Sequence, residues 1–320
     1  MVTGMDTRLL KIVAGLLAVL AVFASAFVLP AHKPEAHHVP VGVVGPPSVR
    51  DALETVKPGA LDVKTYATEA DARHAIDHRE IYGALVGNRL LVASAASNSV
   101  AQAFRNAAAQ AKQHVTVEDV VPLTAEDSRG ATLNQLSLAL IIACSLSVLA
   151  LTGAGYRGRR LLGAIGLFAL AGGFVVVALI GKAVGTLPGS YLGLSAAGTL
   201  LLLAIALPMA GLQRLLGQAG GAVGGLFFML VANPASGNPS APEMLPDGWR
   251  TISQLMPPGA GGTTLRNIAY FHGNALLRPL LVLSAYAAGG LALALLGETL
   301  RRRRTRITQT PEPAELKRAA

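Results

Sequence analysis

The chain has 320 residues, of which 52% are hydrophobic and only 14% are charged, and it carries a formal net charge of +9. About a quarter of the residues of a typical soluble domain are charged, so this composition favours a membrane protein. The single cysteine, Cys144, excludes an intrachain disulfide. Aromatic residues make up 5% of the chain, and the basic clusters have none interleaved except Tyr156, which argues against a nucleic-acid-binding surface.

The first apolar run covers residues 12–29 and follows Arg8 and Lys11. One interpretation is an uncleaved anchor, because the run is long enough to cross the hydrocarbon of a bilayer and exceeds the usual apolar part of a signal peptide, about 7–15 residues. The other is a cleaved signal peptide, since Ala24-Ser25-Ala26 has the small-x-small pattern of a cleavage site. We predict a transmembrane helix within residues 1–29.

Residues 30–132 contain charges again, and short strand patterns alternate with helical ones. Apolar residues recur with the period of two that is typical of strands in three segments, residues 39–43, 61–65 and 115–119. Gly87-Asn88-Arg89 indicates a hairpin turn. Capping patterns predict three helix starts, at Ser48, Thr68 and Ser99. The predicted order, β-α-β-α-β-β-α-β, fits one small α/β domain.

Four later apolar runs are uncharged and have the length that about 30 Å of hydrocarbon requires, namely residues 136–154, 161–180, 191–212 and 279–296. A further run, residues 219–232, contains four glycines and is short for a span when taken alone. We expect Leu215 and Leu216 to extend its helix at the inner end.

The basic clusters decide the predicted topology, because cytoplasmic loops carry an excess of lysine and arginine. Only six crossings, with residues 219–232 as the fifth, place every basic cluster inside. The arginines predicted to act as cytoplasmic topology or lipid contacts are Arg157, Arg159, Arg160, Arg301, Arg302, Arg303 and Arg304. The predicted fold class is therefore a membrane all-α bundle of six transmembrane helices, with both termini inside and one extracytoplasmic α/β domain inserted between helices 1 and 2.

This topology divides the chain into six segments. They are transmembrane helix 1 (1–29), the extracytoplasmic α/β domain (30–132), transmembrane helices 2–5 (133–232), an exterior segment with short amphipathic helices (233–277), transmembrane helix 6 (278–298) and a basic cytoplasmic tail (299–320).

Three glycines at a spacing of four, Gly217, Gly221 and Gly225, would form a smooth strip on a helix. The strip serves either packing within the bundle or a dimer seam. In the exterior segment, Trp249, Tyr270 and Phe271 are predicted as aromatic anchors of two amphipathic helices at the outer interface. Pro257-Pro258-Gly259 would break the first of these helices. A plain loop that covers the bundle is the alternative.

Residues with catalytic or metal-binding chemistry are sparse. The chain has no Walker-type phosphate loop, and no ionisable residue lies in the middle of a predicted span. His74 and His78 share a helix face, but two ligands without support favour a solvated surface over a metal site. We therefore expect no catalytic, cofactor-binding or metal site, and no enzyme.

The layout of one span, an exterior α/β domain and five further spans resembles the ABC-2 type permease superfamily. Within it, the chain is most similar to the phage-infection-protein-like (YhgE/Pip) membrane proteins of Gram-positive bacteria. The stretches that carry the resemblance are residues 75–85, residues 92–97, and the segment from Asn233-Pro234 through Pro257-Pro258-Gly259 to Leu265-Arg266-Asn267.

The resemblance implies a permease of the bacterial plasma membrane that works as a dimer in an export system and uses a separately encoded ABC ATPase. It implies no partner among nucleic acids. The alternative is a cell-surface scaffold or receptor that needs no ATPase and whose exterior domain binds an envelope component or a partner protein. The loop over residues 156–160 is short for an ATPase contact, which keeps this alternative open.

Overall fold

The computed structural model describes residues 7–32, 35–56, 58–110, 115–246 and 248–308. Its helices are α1 (Thr7–His32), α2 (Pro47–Val56), α3 (Glu69–Asp77), α4 (Asn98–Gln110), α5 (Thr132–Gly153), α6 (Gly158–Val177), α7 (Tyr191–Leu216), α8 (Gln218–Phe227), α9 (Trp249–Gln254), α10 (Pro257–Tyr270) and α11 (Leu277–Thr308). Its strands are β1 (Val39–Val44), β2 (Leu61–Thr65), β3 (Gly83–Val86), β4 (Arg89–Val92) and β5 (Thr116–Asp119).

The α/β domain is built on one five-stranded sheet with the order β2-β1-β3-β4-β5. Strand β1 runs parallel to β2 and β3, β4 runs antiparallel to β3, and β5 runs parallel to β4. Gly87 has a φ of 58° in the tight turn between β3 and β4, a conformation that glycine adopts without a steric cost. Thr68 and Asp71 form the predicted cap of α3 reciprocally. The predicted order of strands and helices is confirmed.

The hydrophobic core of this domain is completed by side chains that come from much later in the chain. Ile76, Ile81 and Leu91 are fully buried in it, and Ala241 and Phe271 pack into the same cluster. The domain therefore shares its core with the segment before α11. A shared core of this kind fixes the two parts against each other, because separating them would expose apolar surface to water.

Within the described residues, four helices are long and apolar enough to cross a membrane: Thr132–Gly153, Gly158–Val184, Tyr191–Leu216 and Leu277–Leu300. The second of them is α6 with its π-helical continuation, Ala178–Val184. Helix α7 is the central helix, since it contacts α5, α6, α8, α10 and α11 and is the most buried of the four. Large apolar side chains on the outer faces are exposed, among them Leu146, Leu167 and Leu192.

The apolar segment Gln218–Ala232 is shorter than these four helices. It consists of α8 followed by π-helical residues Phe228–Ala232. Gly217, with a φ of 73°, separates it from α7. Leu215 and Leu216 therefore end α7 and do not extend the next helix as we predicted, because the positive φ of Gly217 turns the chain before the helix resumes.

The two ends of the bundle differ in charge. The turn between α5 and α6 contains Arg157, and Arg159 and Arg160 follow it with exposed side chains. Arg214, near the end of α7, reaches both this turn and Glu298 of α11. Helix α11 continues beyond Glu298 to Thr308, so Arg301 to Arg304 follow at the same end, although their side chains and the tail from residue 309 lie outside the described part. The α/β domain lies at the opposite end.

Residues 233–276, which we call the cap, connect α8 with α11 at the end of the bundle that holds the α/β domain. The prolines at residues 257 and 258 begin α10 and do not merely break α9, because proline is well tolerated in the first turn of a helix. Helix α10 is almost wholly buried against α7. A Cβ atom on Gly261 would meet the Leu201 side chain, and Gly193 lies against Ile268. The glycines of α7 and α10 let α10 pack closely alongside α7. Helix α10 therefore does not lie flat at an interface as predicted.

Candidate functional site

A polar cleft of about 290 Å³ lies between the α/β domain and the cap, beside the first turn of α11. Four arginines and a single glutamate supply its charged lining, namely Arg79, Arg250, Arg266, Arg278 and Glu243. Such an excess of positive charge in a concave site attracts anions. In the following we call this site the arginine cleft.

Arg266 projects from α10 and is the most buried of the four arginines, with 8% of its surface exposed. Among the described residues, its one hydrogen bond is long, 3.5 Å from Nη2 to the backbone oxygen of Asn238. Within the described residues, no carboxylate lies within ion-pair distance of it. Burial, and then the neighbouring charge of Arg79, lower the pKa of Arg266 to about 10. The side chain stays cationic at neutral pH, at a cost of about 3 kcal/mol.

Arg79 forms a second, half-buried part of the lining. It follows α3 with a φ of 63°, which is unusual for a long side chain. Its guanidinium carbon lies 4.8 Å from the ring centroid of Phe271 and 5.5 Å from that of Tyr82, so two aromatic rings hold the cation. Its Nε atom is buried without a hydrogen-bond partner. Within the described part of the chain, neither Arg79 nor Arg266 forms an ion pair.

Tyr82 and Glu243 connect the domain to the cap at the edge of the cleft. The Tyr82 hydroxyl donates a 2.7 Å hydrogen bond to Glu243 Oε2, and Nη2 of Arg250 lies 3.4 Å from Glu243 Oε1. Burial, and then the negative charge of Glu243, raise the pKa of Tyr82, so its hydroxyl remains a donor at neutral pH. The backbone N–H of His37 also donates to the Glu243 carbonyl. The one carboxylate is therefore already engaged.

Further hydrogen bonds hold the cap against the domain and the bundle. The Ser97 hydroxyl donates to the Ser240 carbonyl at 2.8 Å, and the Asn274 side-chain amide donates to the Asp77 carbonyl at 3.0 Å. On the bundle side, the Tyr270 hydroxyl donates to the backbone oxygen of Thr186 at 3.0 Å. These bonds, together with the shared core, fix the walls of the arginine cleft before any ligand arrives.

The three predicted aromatic anchors have different environments. Trp249 is half-buried on α9, next to Arg250 at the rim of the cleft. Tyr270 is half-buried and bonded to the bundle. Phe271 is completely buried in the core of the α/β domain, so it does not anchor the chain at an interface. The sequence predicts a surface position for this ring, because it does not show that the α/β domain packs over Phe271.

Gly221 and Gly225 of the predicted glycine strip are half-buried and line a groove between α5, α7 and α8. Gly217 forms the turn, while Gly221 lies against the Gln213 side chain and Gly225 against Ser145 and Met209. The closest approach of α8 to α7 occurs one position earlier in each repeat, where a Cβ atom on Gly220 would collide with the Leu212 carbonyl and one on Gly224 would crowd Met209. These contacts belong to internal packing, and the exposed face of α8 carries Val223 and Leu226.

The paired histidines contact each other. The rings of His74 and His78 stack with their centroids 3.9 Å apart, and His78 Nδ1 lies 3.0 Å from the His74 carbonyl oxygen. Among the described residues, there is no group of three or more histidine, cysteine, aspartate or glutamate side chains that could hold a metal ion. The structure offers this pair no third ligand within that part of the chain.

The sequence interpretation missed the arginine cleft. Its lining comes from segments far apart in the chain, and neither Arg79 nor Arg266 belongs to a recognisable motif. One signal was available. The exterior segment and the residue after it contain Arg250, Arg266 and Arg278, although the positive-inside rule disfavours arginine next to spans on that side.

The fold and the cleft together define a helical bundle of membrane-compatible length and composition, with a small α/β domain at one end and an arginine-lined cleft beneath it. Comparison with protein-family models, with curated proteins and with solved structures found no match.

Proposed function

We propose that the chain is a permease-like integral protein of the bacterial plasma membrane, a subunit of an ABC-2 type export system that works as a dimer with a separately encoded ATPase. The observation that carries this proposal is the order of elements. A first helix is followed by the α/β domain, four apolar helical segments, a pair of helices of which α10 dips back alongside α7, and a last long helix. This is the layout on which the resemblance to the ABC-2 superfamily rests.

The proposed six crossings are the four helices described above as long and apolar enough to cross a membrane, α1 with its 26 residues, and the shorter segment Gln218–Ala232. The charge asymmetry of the bundle supports the orientation, because the arginine-rich end would face the cytoplasm. The α/β domain and the cap would then lie outside. The exposed leucines on the outer faces of the bundle fit contact with lipid.

A lipid-facing groove of about 450 Å³ between α5, α7 and α8 supports a dimer. Its rim includes Leu146 of α5 and Leu226 of α8, both exposed. The proposed contact places the exposed face of α8 against a second copy, while the glycines behind it let α8 pack tightly onto its own chain.

Disulfide cross-linking in native membranes tests the dimer. In a Cys144→Ala background, Val223→Cys on the exposed face of α8 should form a covalent dimer under mild oxidation. Val175→Cys, equally exposed but on α6, is the matched control and should stay monomeric. Equal cross-linking at both positions would show random collision and contradict the proposed contact.

Purification in mild detergent tests the ATPase partner. An affinity-tagged chain expressed in its native host should retain an ATP-binding-cassette ATPase, and the complex should hydrolyse ATP. A homodimer that carries no ATPase, recovered from cells in which candidate ATPases are expressed, would contradict the permease role.

A second function, the ATPase-independent scaffold or receptor, is favoured by the arginine-rich end of the bundle. Only residues 154–157 separate α5 from α6, and Gly217 alone separates α7 from α8. These turns offer little surface to a cytoplasmic ATPase. Because the α/β domain shares its core with the cap, a binding test requires the full chain. The full chain in nanodiscs should retain labelled envelope material, and Phe271→Ala, which loosens the domain from the cap, should retain less.

A further inference from the structure

The arginine cleft lies at the level where α11 begins. Arg278 and Pro279, in the first turn of this helix, line the cleft, and the neighbouring Leu277 and Leu281 are 76% and 61% exposed. On the other side, α9 contributes Thr251 and Gln254 to the lining, and Ile252 of this helix is exposed, as is Leu255 directly after it. A polar, cationic cavity is thus flanked on two sides by apolar side chains that face away from the protein.

We propose that the arginine cleft binds the phosphate group of an anionic phospholipid from the outer leaflet. The phosphate would lie between Arg266 and Arg79, and the acyl chains would run along the exposed leucines of α11. The lipid source rests on the proposed placement of this end outside the cytoplasm. The shared chemistry, a phosphate held by guanidinium groups, follows from the cleft itself.

A phosphate would supply the negative charge that Arg266 and Arg79 lack as a partner among the described residues. Guanidinium groups bind phosphate oxygens in a bidentate geometry, and the strength of such charge-assisted hydrogen bonds increases where water is excluded. Arg266 is nine-tenths buried and Arg79 Nε has no partner, so both have bonding capacity in reserve. Arg250 and Arg278 are exposed at the rim, where they would attract an anion toward the buried pair.

The cleft also suits the polar part of a lipid headgroup. Asn267 is 1% exposed and lines the cleft, and its Oδ1 atom is buried without a hydrogen-bond partner, while its Nδ2 donates to the Ala275 carbonyl at 3.3 Å. A hydroxyl group of a headgroup such as glycerol would satisfy this oxygen. A bare anion would leave it unsatisfied.

The natural fluorophore of the chain reports directly on the site. Trp249 is the only tryptophan, and it precedes Arg250 at the rim of the cleft. We would purify the full chain in dodecyl maltoside and titrate it with short-chain dioctanoyl phosphatidylglycerol. The parallel titrations use dioctanoylglycerol, which lacks the phosphate, and glycerol 3-phosphate, which lacks the acyl chains.

The expected result is a saturable change in Trp249 fluorescence with the phospholipid, at least tenfold weaker binding of glycerol 3-phosphate, and no saturable change with dioctanoylglycerol. Equal binding of dioctanoylglycerol would overturn the phosphate site. Equal binding of glycerol 3-phosphate would overturn the lipid source, because a soluble phosphate compound would then be sufficient. These comparisons need no variant.

Variants assign the binding to the cleft. Arg266→Met and Arg79→Gln should each weaken phospholipid binding at least tenfold. Arg157→Gln removes the same charge at the other end of the bundle and should change the affinity less than twofold. Unchanged binding by folded Arg266→Met and Arg79→Gln would overturn the assignment. The assay requires neither orientation in a membrane nor transport, so its failure would leave the proposed permease role standing, and failure of the ATPase experiment would leave this site standing.

Discussion

Two buried arginines lie at opposite ends of the bundle, and the fold gives them different electrostatic partners. Arg214 is 7% exposed, and its Nη1 lies 3.0 Å from Glu298 Oε2. It also donates to the backbone oxygens of Gly158 at 3.1 Å and Ala294 at 3.3 Å. Arg266 is equally buried, but among the described residues it has one long hydrogen bond to a backbone carbonyl and no ion pair, and its charged neighbours are Arg79 and, with a weaker influence, Asp127. Removing one partner of a buried ion pair destabilises a protein, whereas removing a buried cation that has no carboxylate partner relieves an uncompensated charge.

The largest effect is expected at Arg214. The change Arg214→Met removes the ion pair with Glu298 and the hydrogen bonds to the backbone oxygens of Gly158 and Ala294. Breaking a buried pair from one side costs about 3 kcal/mol or more, so thermal unfolding of the purified protein in detergent should begin at a clearly lower temperature. The control is Arg50→Gln, which changes an exposed arginine and should have the same melting temperature as the wild type. A melting temperature unchanged by Arg214→Met would show that the pair contributes nothing.

The same substitution at Arg266 should increase the stability of the protein rather than decrease it. The change Arg266→Met removes an uncompensated buried cation and keeps a side chain of similar length, so we expect a stabilisation of about 1–3 kcal/mol in the absence of ligand. Thermal unfolding, measured in the same detergent, provides the comparison. A destabilised Arg266→Met protein would mean that Arg266 is a structural residue like Arg214.

The pH dependence of the stability difference between the wild type and Arg266→Met is a third way to distinguish Arg266 from Arg214. The pKa of Arg266 is lowered to about 10 in the folded protein and is well above that in the unfolded chain. A lowered pKa means that stability is largest above the unfolded value and is lost as the pH falls through about 10. The gap between wild type and Arg266→Met should therefore be full at pH 8 and narrow above pH 10, by about 1 kcal/mol per pH unit. A gap that stays constant up to pH 11 would contradict the lowered pKa.

The smallest effect is expected at the tyrosine beside the cleft. The change Tyr82→Phe removes the hydrogen bond to Glu243 and should cost about 1–2 kcal/mol, because a buried acceptor with a charge loses its donor. Tyr66→Phe is the matched control, since the Tyr66 hydroxyl has no hydrogen-bond partner among the described residues. Equal melting temperatures of the two variants would show that Glu243 is satisfied without Tyr82.

Local patterns predicted the α/β domain well. The alternation in β1 and β2, the turn at Gly87 and the cap at Thr68 all depend on residues within a few positions of each other, and the structure has each of them. The same kind of reasoning was less successful in the cap. Pro257 was interpreted as a helix breaker and begins α10, because proline can do either and the packing of α10 against α7 makes the choice.

The local sequence periodicity did not predict that the cap is buried. Phe271 and Tyr270 are adjacent aromatic residues after an apolar helix, a pattern typical of an interfacial anchor. In the structure Phe271 enters the core of a domain, and all other members of that core except Ala241 lie more than 170 residues earlier in the chain. The glycine spacing predicted close helix packing, but the turn at Gly217 and the closer approach of Gly220 and Gly224 to α7 are visible only in the tertiary structure.

The sequence by itself determined the long apolar helices, the positions of the basic clusters and the order of strands, because each depends on composition or on short-range spacing. Only the tertiary structure decided that the α/β domain and the cap share one core, that α10 lies along α7, and that Arg79 and Arg266 face the same cleft. Those outcomes depend on contacts between segments far apart in the chain, where the burial of Phe271 and the close approach allowed by Gly261 outweigh what either segment prefers alone.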